Sequence, residues 1–203
     1  VQFREGESPT AIYAVRSAGI DPASGKEIFI KKDGTYTYTY SSADQVACGD
    51  TNPTLQGSFS TQVKYQRFSL SMYFSYRFGG EMYNSTRAAK VENINPRYNC
   101  DLRAFTERWK QPGDLVPYLD ISLTGGNTYN YTDRFVEKDN ELWLSSMYLQ
   151  YDVPMSFLKR LNIQKLYVGI GTEDLFRLTS AKYERGTEYP YSRSVNMSLS
   201  VTF

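Results

Sequence analysis

The chain has 203 residues, 40% of them hydrophobic, enough for one domain or for part of a larger one. No run approaches the roughly 18 consecutive apolar residues of a transmembrane helix, which excludes a helical membrane protein. Its 23 Lys and Arg nearly cancel its 22 Asp and Glu, and histidine is absent. That balance gives no electrostatic footprint for nucleic acid, and it removes the usual general base and the commonest metal ligand.

Aromatic residues are the outlier, with 18 Tyr, 11 Phe and 2 Trp making 15% of the chain. Tyr-rich sequences of modest hydropathy fit transmembrane β-barrels, whose interfaces carry aromatic girdles. They also fit soluble β-modules that stack rings on sugars, and composition alone leaves both open.

In chain order, Ala11–Ala18 reads as a strand, and Asp21-Pro22-Ala23-Ser24-Gly25 as a turn. Phe59, Thr61, Val63 and Tyr65 then alternate with polar residues. Phe68, Leu70, Met72, Phe74, Tyr76 and Phe78 do the same after Gln66-Arg67, so the two runs form a tight hairpin. Each run is about ten residues, the length of a tilted strand crossing a bilayer. Leu102, Phe105 and Trp109, at i, i+3 and i+7, predict a short helix within Asn99–Lys110, ended by Pro112-Gly113-Asp114.

Leu142–Val153 is the next strand, stopped by Pro154. Ile163–Phe176 follows, with Leu166, Val168 and Ile170 on one face. Gly169 and Gly171 lie on the other, leaving room for a close neighbour. Ser192–Phe203 alternates strictly, with Val195, Met197, Leu199, Val201 and Phe203 apolar and Asn196, Ser198, Ser200 and Thr202 polar. Six strands in an up-and-down path put the short links, around Gln66 and over Pro154–Asn162, on one side with the C-terminus. The long links, roughly Gly19–Gln56, Gly79–Glu141 and Phe176–Tyr191, fall on the other. Outer-membrane barrels sort their loops this way, with short turns periplasmic.

Several patterns resemble sites, and each has a plainer reading. Glu137, Asp139 and Glu141 read as a solvated rim rather than a calcium site. Gly169-Ile170-Gly171 lacks the context of a dinucleotide loop. The Asn-x-Ser/Thr triplets at Asn84, Asn130 and Asn196 are short enough to arise by chance. Without histidine no ordinary hydrolase triad is available, so no catalytic, metal or cofactor residue is expected and substrate contacts stay unassigned. The rings Trp109, Tyr118, Tyr129 and Tyr131 could stack on a sugar, meet a partner, or pin their own loop. Cys48 and Cys100 leave a disulfide open. The chain opens on Val1 with no leader-like run, as expected of a processed chain or a fragment.

A series of short motifs carries a family likeness. Gly19-Ile20-Asp21-Pro22-Ala23-Ser24-Gly25 resembles the GIDPxTG turn of SusC/RagA-type TonB-dependent transporters. Asn52 to Phe59, the Tyr65–Leu70 hairpin, Met82-Tyr83-Asn84, Arg108-Trp109 and Pro112-Gly113-Asp114 are similar to elements that follow it in order. So are Arg134 to Glu137, Leu142-Trp143-Leu144, Tyr151-Asp152-Val153-Pro154, Asp174-Leu175-Phe176 and Tyr189-Pro190 with Arg193. The chain departs from the pattern at Gly171 to Asp174 and at Tyr183 to Gly186.

The resemblance implies an all-β fold of antiparallel up-and-down strands, forming the C-terminal part of a transmembrane β-barrel with long loops on one side. Residues 1–203 would be one barrel segment, with plug and earlier strands absent. The whole protein would sit in the outer membrane of a Gram-negative, Bacteroidetes-like cell. It would import oligosaccharides or peptides with the TonB complex and a SusD-like surface lipoprotein, with no enzyme chemistry, no cofactor and no nucleic acid. Phe203, a terminal aromatic on an alternating strand, resembles the signal read by the barrel-assembly machinery, and equally suits a lipid-facing girdle. The alternatives are a soluble carbohydrate-binding β-module, or a barrel adhesin or porin. In the soluble module Val195, Met197, Leu199 and Val201 would be buried against a second sheet.

Overall fold

The computed structural model describes residues 3–95, 97, 100–124, 130–158, 163–181 and 193–203. They form two bodies. The first draws on Val1–Pro53, Gly80–Lys138 and Ala181–Glu184, and the second on Thr54–Gly79, Asp139–Ser180 and Arg185–Phe203.

In the first body, β1 (Ala11–Ile20), β2 (Glu27–Ile30), β3 (Tyr36–Thr37) and β4 (Gln45–Asp50) make an antiparallel sheet in the order β3-β2-β1-β4. Ile12, Tyr13, Ala14 and Val15 are all buried, so β1 is a central strand covered on both faces. Short helical turns at Ser85–Arg87, Ala88–Glu92 and Arg103–Thr106 bring Ala88, Val91, Ile94, Ala104, Tyr118 and Phe135 into one core.

Three expectations are corrected here. Ala11–Ala18 is a strand, but it belongs to this separate sheet and not to the up-and-down series. The segment read as a long link, Gly19–Gln56, holds three strands of two to six residues, too short to show alternation. The helix expected over Asn99–Lys110 shrinks to Arg103–Thr106, with Asn99 outside the described residues. Leu102 and Phe105, placed on its apolar face, are 73% and 42% exposed, whereas Ala104 and Arg108 are buried. The Arg108 guanidinium donates to the carbonyls of Ala104, Leu119, Val91 and Glu92 at 2.6–3.0 Å. Those charge-assisted bonds turn the polar side of the helix inward.

The second body is built on a five-stranded antiparallel meander: β5 (Leu55–Tyr65), β6 (Phe68–Tyr83), β7 (Val136–Asp152), β8 (Lys165–Thr179) and β9 (Val195–Thr202). The first three residues of the predicted terminal strand come before β9 begins; Ser192 lies outside the described residues. Gln66-Arg67 is the whole β5–β6 loop, with Tyr65 opposite Phe68 and Gln66 at φ 51°. A positive φ in a two-residue loop suits the twist of the flanking strands. The β6–β7 link runs 84–135, β7–β8 runs 153–164 and β8–β9 runs 180–194, so the short links share a side with the chain end. β6 and β7 overrun their predicted ends. Beyond Phe78 and before Leu142 the apolar alternation gives way to glycine and charge, and these rungs are held by other means.

Candidate functional site

Residues directly opposite one another in a ladder share a face. Register therefore places Leu55, Phe59, Val63 and Tyr65 beside Phe78, Phe74, Leu70 and Phe68. It likewise places Tyr151 and Leu149 beside Val168 and Ile170, which face Leu199 and Met197. The Phe68 and Tyr151 rings meet at 4.8 Å and join the two sets into one apolar face.

That face is exposed: Val195 is 67%, Met197 77%, Leu199 67% and Val201 36% accessible. The soluble-module reading required these side chains to be buried against an opposing sheet, and they are not. Rings gather toward the ends of the face, Tyr65, Phe68 and Tyr151 at the short-link end and Tyr76 and Phe78 at the other. Phe68 to Phe78 is ten steps, about 34 Å along the strand. Tilted by about 40°, it spans about 26 Å, close to the apolar band of an outer-membrane barrel. Phe203 follows directly on β9 at the short-link end and is 79% exposed.

The opposite face is polar. Ser58 faces Ser75, Ser60 faces Tyr73 and Gln62 faces Ser71. Gln150 lies across from Gly169 and Ser198, and Tyr148 across from Gly171 and Asn196. Ser75 and Ser145 share a hydrogen bond of 2.7 Å between β6 and β7. The close neighbour expected at the two β8 glycines is Tyr148. A Cβ on Gly169 would overlap the Tyr148 hydroxyl and lie 2.6 Å from Ser198 Oγ, while Tyr148 and Ser198 hydrogen-bond at 2.6 Å.

Charge lies at the two ends of this polar face. At the long-link end Arg77 pairs with Asp139 at 2.5 Å and Glu141 at 3.1 Å, and Arg177 pairs with Glu141 at 3.3 Å. Asp139 and Glu141 are buried, which corrects their reading as a solvated rim. In the first body Glu137 pairs with Arg87 at 2.5 Å. Asp139 and Glu141 tie strands together and Glu137 ties β7 to a helical turn, because each has an arginine in reach, which alternation in a single strand does not reveal.

Of the rings of the long link, Tyr118 is held within the link, while Trp109 and Tyr131 dock on residues outside it. Trp109 Nε1 donates to the Pro22 carbonyl at 2.9 Å, and its ring lies over Gly25, where a Cβ would come within 2.6 Å. Gly25, at φ 69°, thus meets two demands that only glycine satisfies, a left-handed backbone and a ring against its Cα. Gly113 N–H reaches the same Pro22 carbonyl at 2.9 Å, and Asp120 N–H reaches the Gly25 carbonyl at 3.1 Å. Tyr118 is buried and accepts from Arg87 at 2.8 Å, while Tyr131 stacks on Tyr83 at 3.7 Å. Tyr129 lies outside the described residues. The motifs at Asp21–Gly25, Arg108-Trp109 and Pro112–Asp114, distant in sequence, are one clasp. Tyr36 and Tyr38 are exposed rings of this body, beside an open groove of about 370 Å³ over Ala18 and Ile28.

A buried ion cluster sits behind the clasp. Arg134 grips Glu27 through two bonds of 2.7 and 2.9 Å and reaches Glu92 at 2.7 Å. Burial pulls the Arg134 pKa down, but hydrogen bonds to Glu27 and the two carboxylate charges outweigh it, so the net shift is upward. Burial raises the Glu92 carboxyl above its ordinary value against the pull of Arg134, and burial likewise raises Asp133. Cys48 and Cys100 are not joined in a disulfide; Cys48 is half-buried and burial raises its pKa. Among the described residues no group of three or more His, Cys, Asp or Glu could hold a metal ion.

No protein-family model matches the chain. It is 23% identical over 158 residues to TonB-dependent receptor P39 of Formosa agariphila, covering 77% of this chain and 15% of the relative. It is 22% identical over 192 residues to TonB-dependent receptor P3 of the same organism, covering 87% and 18%. Among solved structures it is similar to a chain of the RagAB peptide importer in its open-open state, with a TM-score of 0.75 and 22% identity over 95% of this chain and 22% of that one. The closed-closed state of the same importer gives a TM-score of 0.72. The chain thus spans roughly a fifth of the length of the relatives it matches. In sequence over most of its length and in fold, this chain is similar to part of a SusC/RagA-like TonB-dependent receptor of the outer membrane.

Proposed function

We propose that the chain is the C-terminal part of the barrel of an importer that carries oligosaccharides or peptides across the outer membrane. TonB would drive it through a plug encoded upstream, and a SusD-like lipoprotein would cover it. Transport would be gated, with no covalent chemistry. The observation that carries this reading is the antiparallel meander with one apolar and one polar face, matched in fold over 95% of the chain by a RagAB chain. The short-link end would face the periplasm, and Phe203 would serve as the assembly signal.

The test uses the full-length gene in its host. Uptake of a fluorescent oligosaccharide or peptide that disappears on deletion of the gene, and again on deletion of TonB, supports the proposal. Co-purification of a surface lipoprotein supports the lid. An upstream sequence with no plug domain, or uptake that persists without TonB, argues instead for a passive porin or an adhesin.

A further inference from the structure

The β7–β8 link is fastened to the wall at both of its legs. Val153 N–H donates to the Leu166 carbonyl at 3.0 Å, and Gln164 N–H donates to the Thr202 carbonyl at 2.8 Å. Between the legs Pro154 leads into a single helical turn, Met155–Leu158, with Phe157 N–H bonded to the Pro154 carbonyl at 3.0 Å. Met155 and Leu158, three residues apart, share one side of that turn. They line an open basin of about 650 Å³ with Asp152, Lys165 and Tyr167. Asp152 and Tyr167 belong to the polar face, since the neighbouring rung, Tyr151–Val168, belongs to the apolar one. Phe157 lies about 100° round the helix from Leu158 and about 160° from Met155, so it points away from the basin and from the polar face. Leu158 is 2% exposed and holds the turn down, whereas Phe157 is 70% exposed.

We infer that this turn rests on the phospholipid of the adjoining leaflet, with the Phe157 ring inserted at the boundary between acyl chains and headgroups. The inference rests on the barrel-wall reading and carries its lipid-facing surface past the last rung. Continuity with that surface identifies lipid as the occupant. Phe68 and Tyr151, in ring contact on the apolar face, end just before the link begins. Phe203 follows Thr202, the partner of Lys165, and is 79% exposed at the height where the link returns to β8. A short amphipathic turn settles at such a boundary because its apolar side leaves water while its polar side stays hydrated. Asp152 and Lys165, across the basin, supply the hydrated side.

The test places the full-length protein in nanodiscs of phosphatidylethanolamine and phosphatidylglycerol, with one nitroxide on a single cysteine in a background without others. The labelled variants are Phe157→Cys, Met155→Cys and, on the apolar face, Met197→Cys. Oxygen concentrates among acyl chains and a nickel chelate stays in water, so power saturation ranks each site between the two. Phe157→Cys is expected to be several-fold more accessible to oxygen than to the chelate, and Met155→Cys the reverse. Chelate access at Phe157→Cys, or equal readings there and at Met155→Cys, overturns the inference while an oxygen-rich Met197→Cys leaves the wall reading standing. Shielding of Phe157→Cys from both reagents also overturns it, because protein then covers the ring. Chelate access at Met197→Cys overturns both readings. Phe157→Trp keeps a ring in place: its added fluorescence is expected to be quenched when the acyl chains are brominated, and unchanged emission overturns the inference.

Discussion

A methyl group added at Gly169 would strike the Tyr148 hydroxyl and crowd Ser198, so Gly169→Ala is expected to destabilise the wall by about 1–3 kcal/mol. Adding Tyr148→Ala should recover most of that loss, and a double-mutant cycle on the thermal transition of the full-length protein measures the coupling. Additive losses would show that the ring does not need the glycine. Glu92 offers a pH test. Its folded pKa lies above the ordinary glutamate value because it is buried, so the folded state binds that proton more tightly than the unfolded chain. Its contribution therefore rises as pH falls through the raised value, and is lost as pH rises through it. Asp133 acts in the same sense. Asp21, Asp33 and Asp50 are held low by hydrogen bonds and act oppositely, losing their contribution below the ordinary aspartate range. Hydrogen exchange at Leu119, whose amide faces Glu92, should slow toward acid after correction for intrinsic rates. Glu92→Gln should abolish that slope, and an unchanged slope would exclude Glu92 as its source. At this scale the sequence foretold that Gly169 and Gly171 had a close neighbour, but only register identifies it as Tyr148.

Strands were legible in proportion to their length and to the contrast between their faces. β5, β6 and β9 alternate over eight or more residues between an apolar and a polar face, and all three were read in place, β6 ending five residues beyond its alternating run. β2, β3 and β4 were missed because two to six residues cannot establish a period. The helix over Leu102–Trp109, read too long and on the wrong face, has the converse cause. Its spacing was apolar on one side, yet the four carbonyls gathered by Arg108 reward the other. At this scale belongs the prediction for the chain end. Phe203→Ala, or deletion of Phe203, should lower the folded, heat-modifiable fraction in the outer membrane several-fold while leaving synthesis unchanged. A level equal to wild type on semi-native gels would leave Phe203 as one more exposed ring.

As a whole molecule, the chain presents an apolar face and the unpaired edges of β5 and β9 together. Expressed alone it should sediment as aggregate in detergent-free buffer and disperse only in detergent. A monodisperse monomer without detergent, seen by analytical ultracentrifugation, would contradict the lipid-facing assignment. The wall was legible in the sequence because lipid imposes a period of two along every rung. The clasp was not, because its members are separated by some 85 residues and are joined through backbone carbonyls that carry no side-chain signature. The base of the long link has a further consequence, for folding entropy. As free coil, the 52 residues of 84–135 would cost about 3 kcal/mol more to close than the two-residue turn at Gln66-Arg67. The Asn84 amide instead bonds the Phe135 carbonyl at 2.7 Å, which draws the two ends of the link together, and Arg134 reaches Glu92 within it. Much of that closure cost is therefore met within the first body, and β6 and β7 meet as if joined by a far shorter tether.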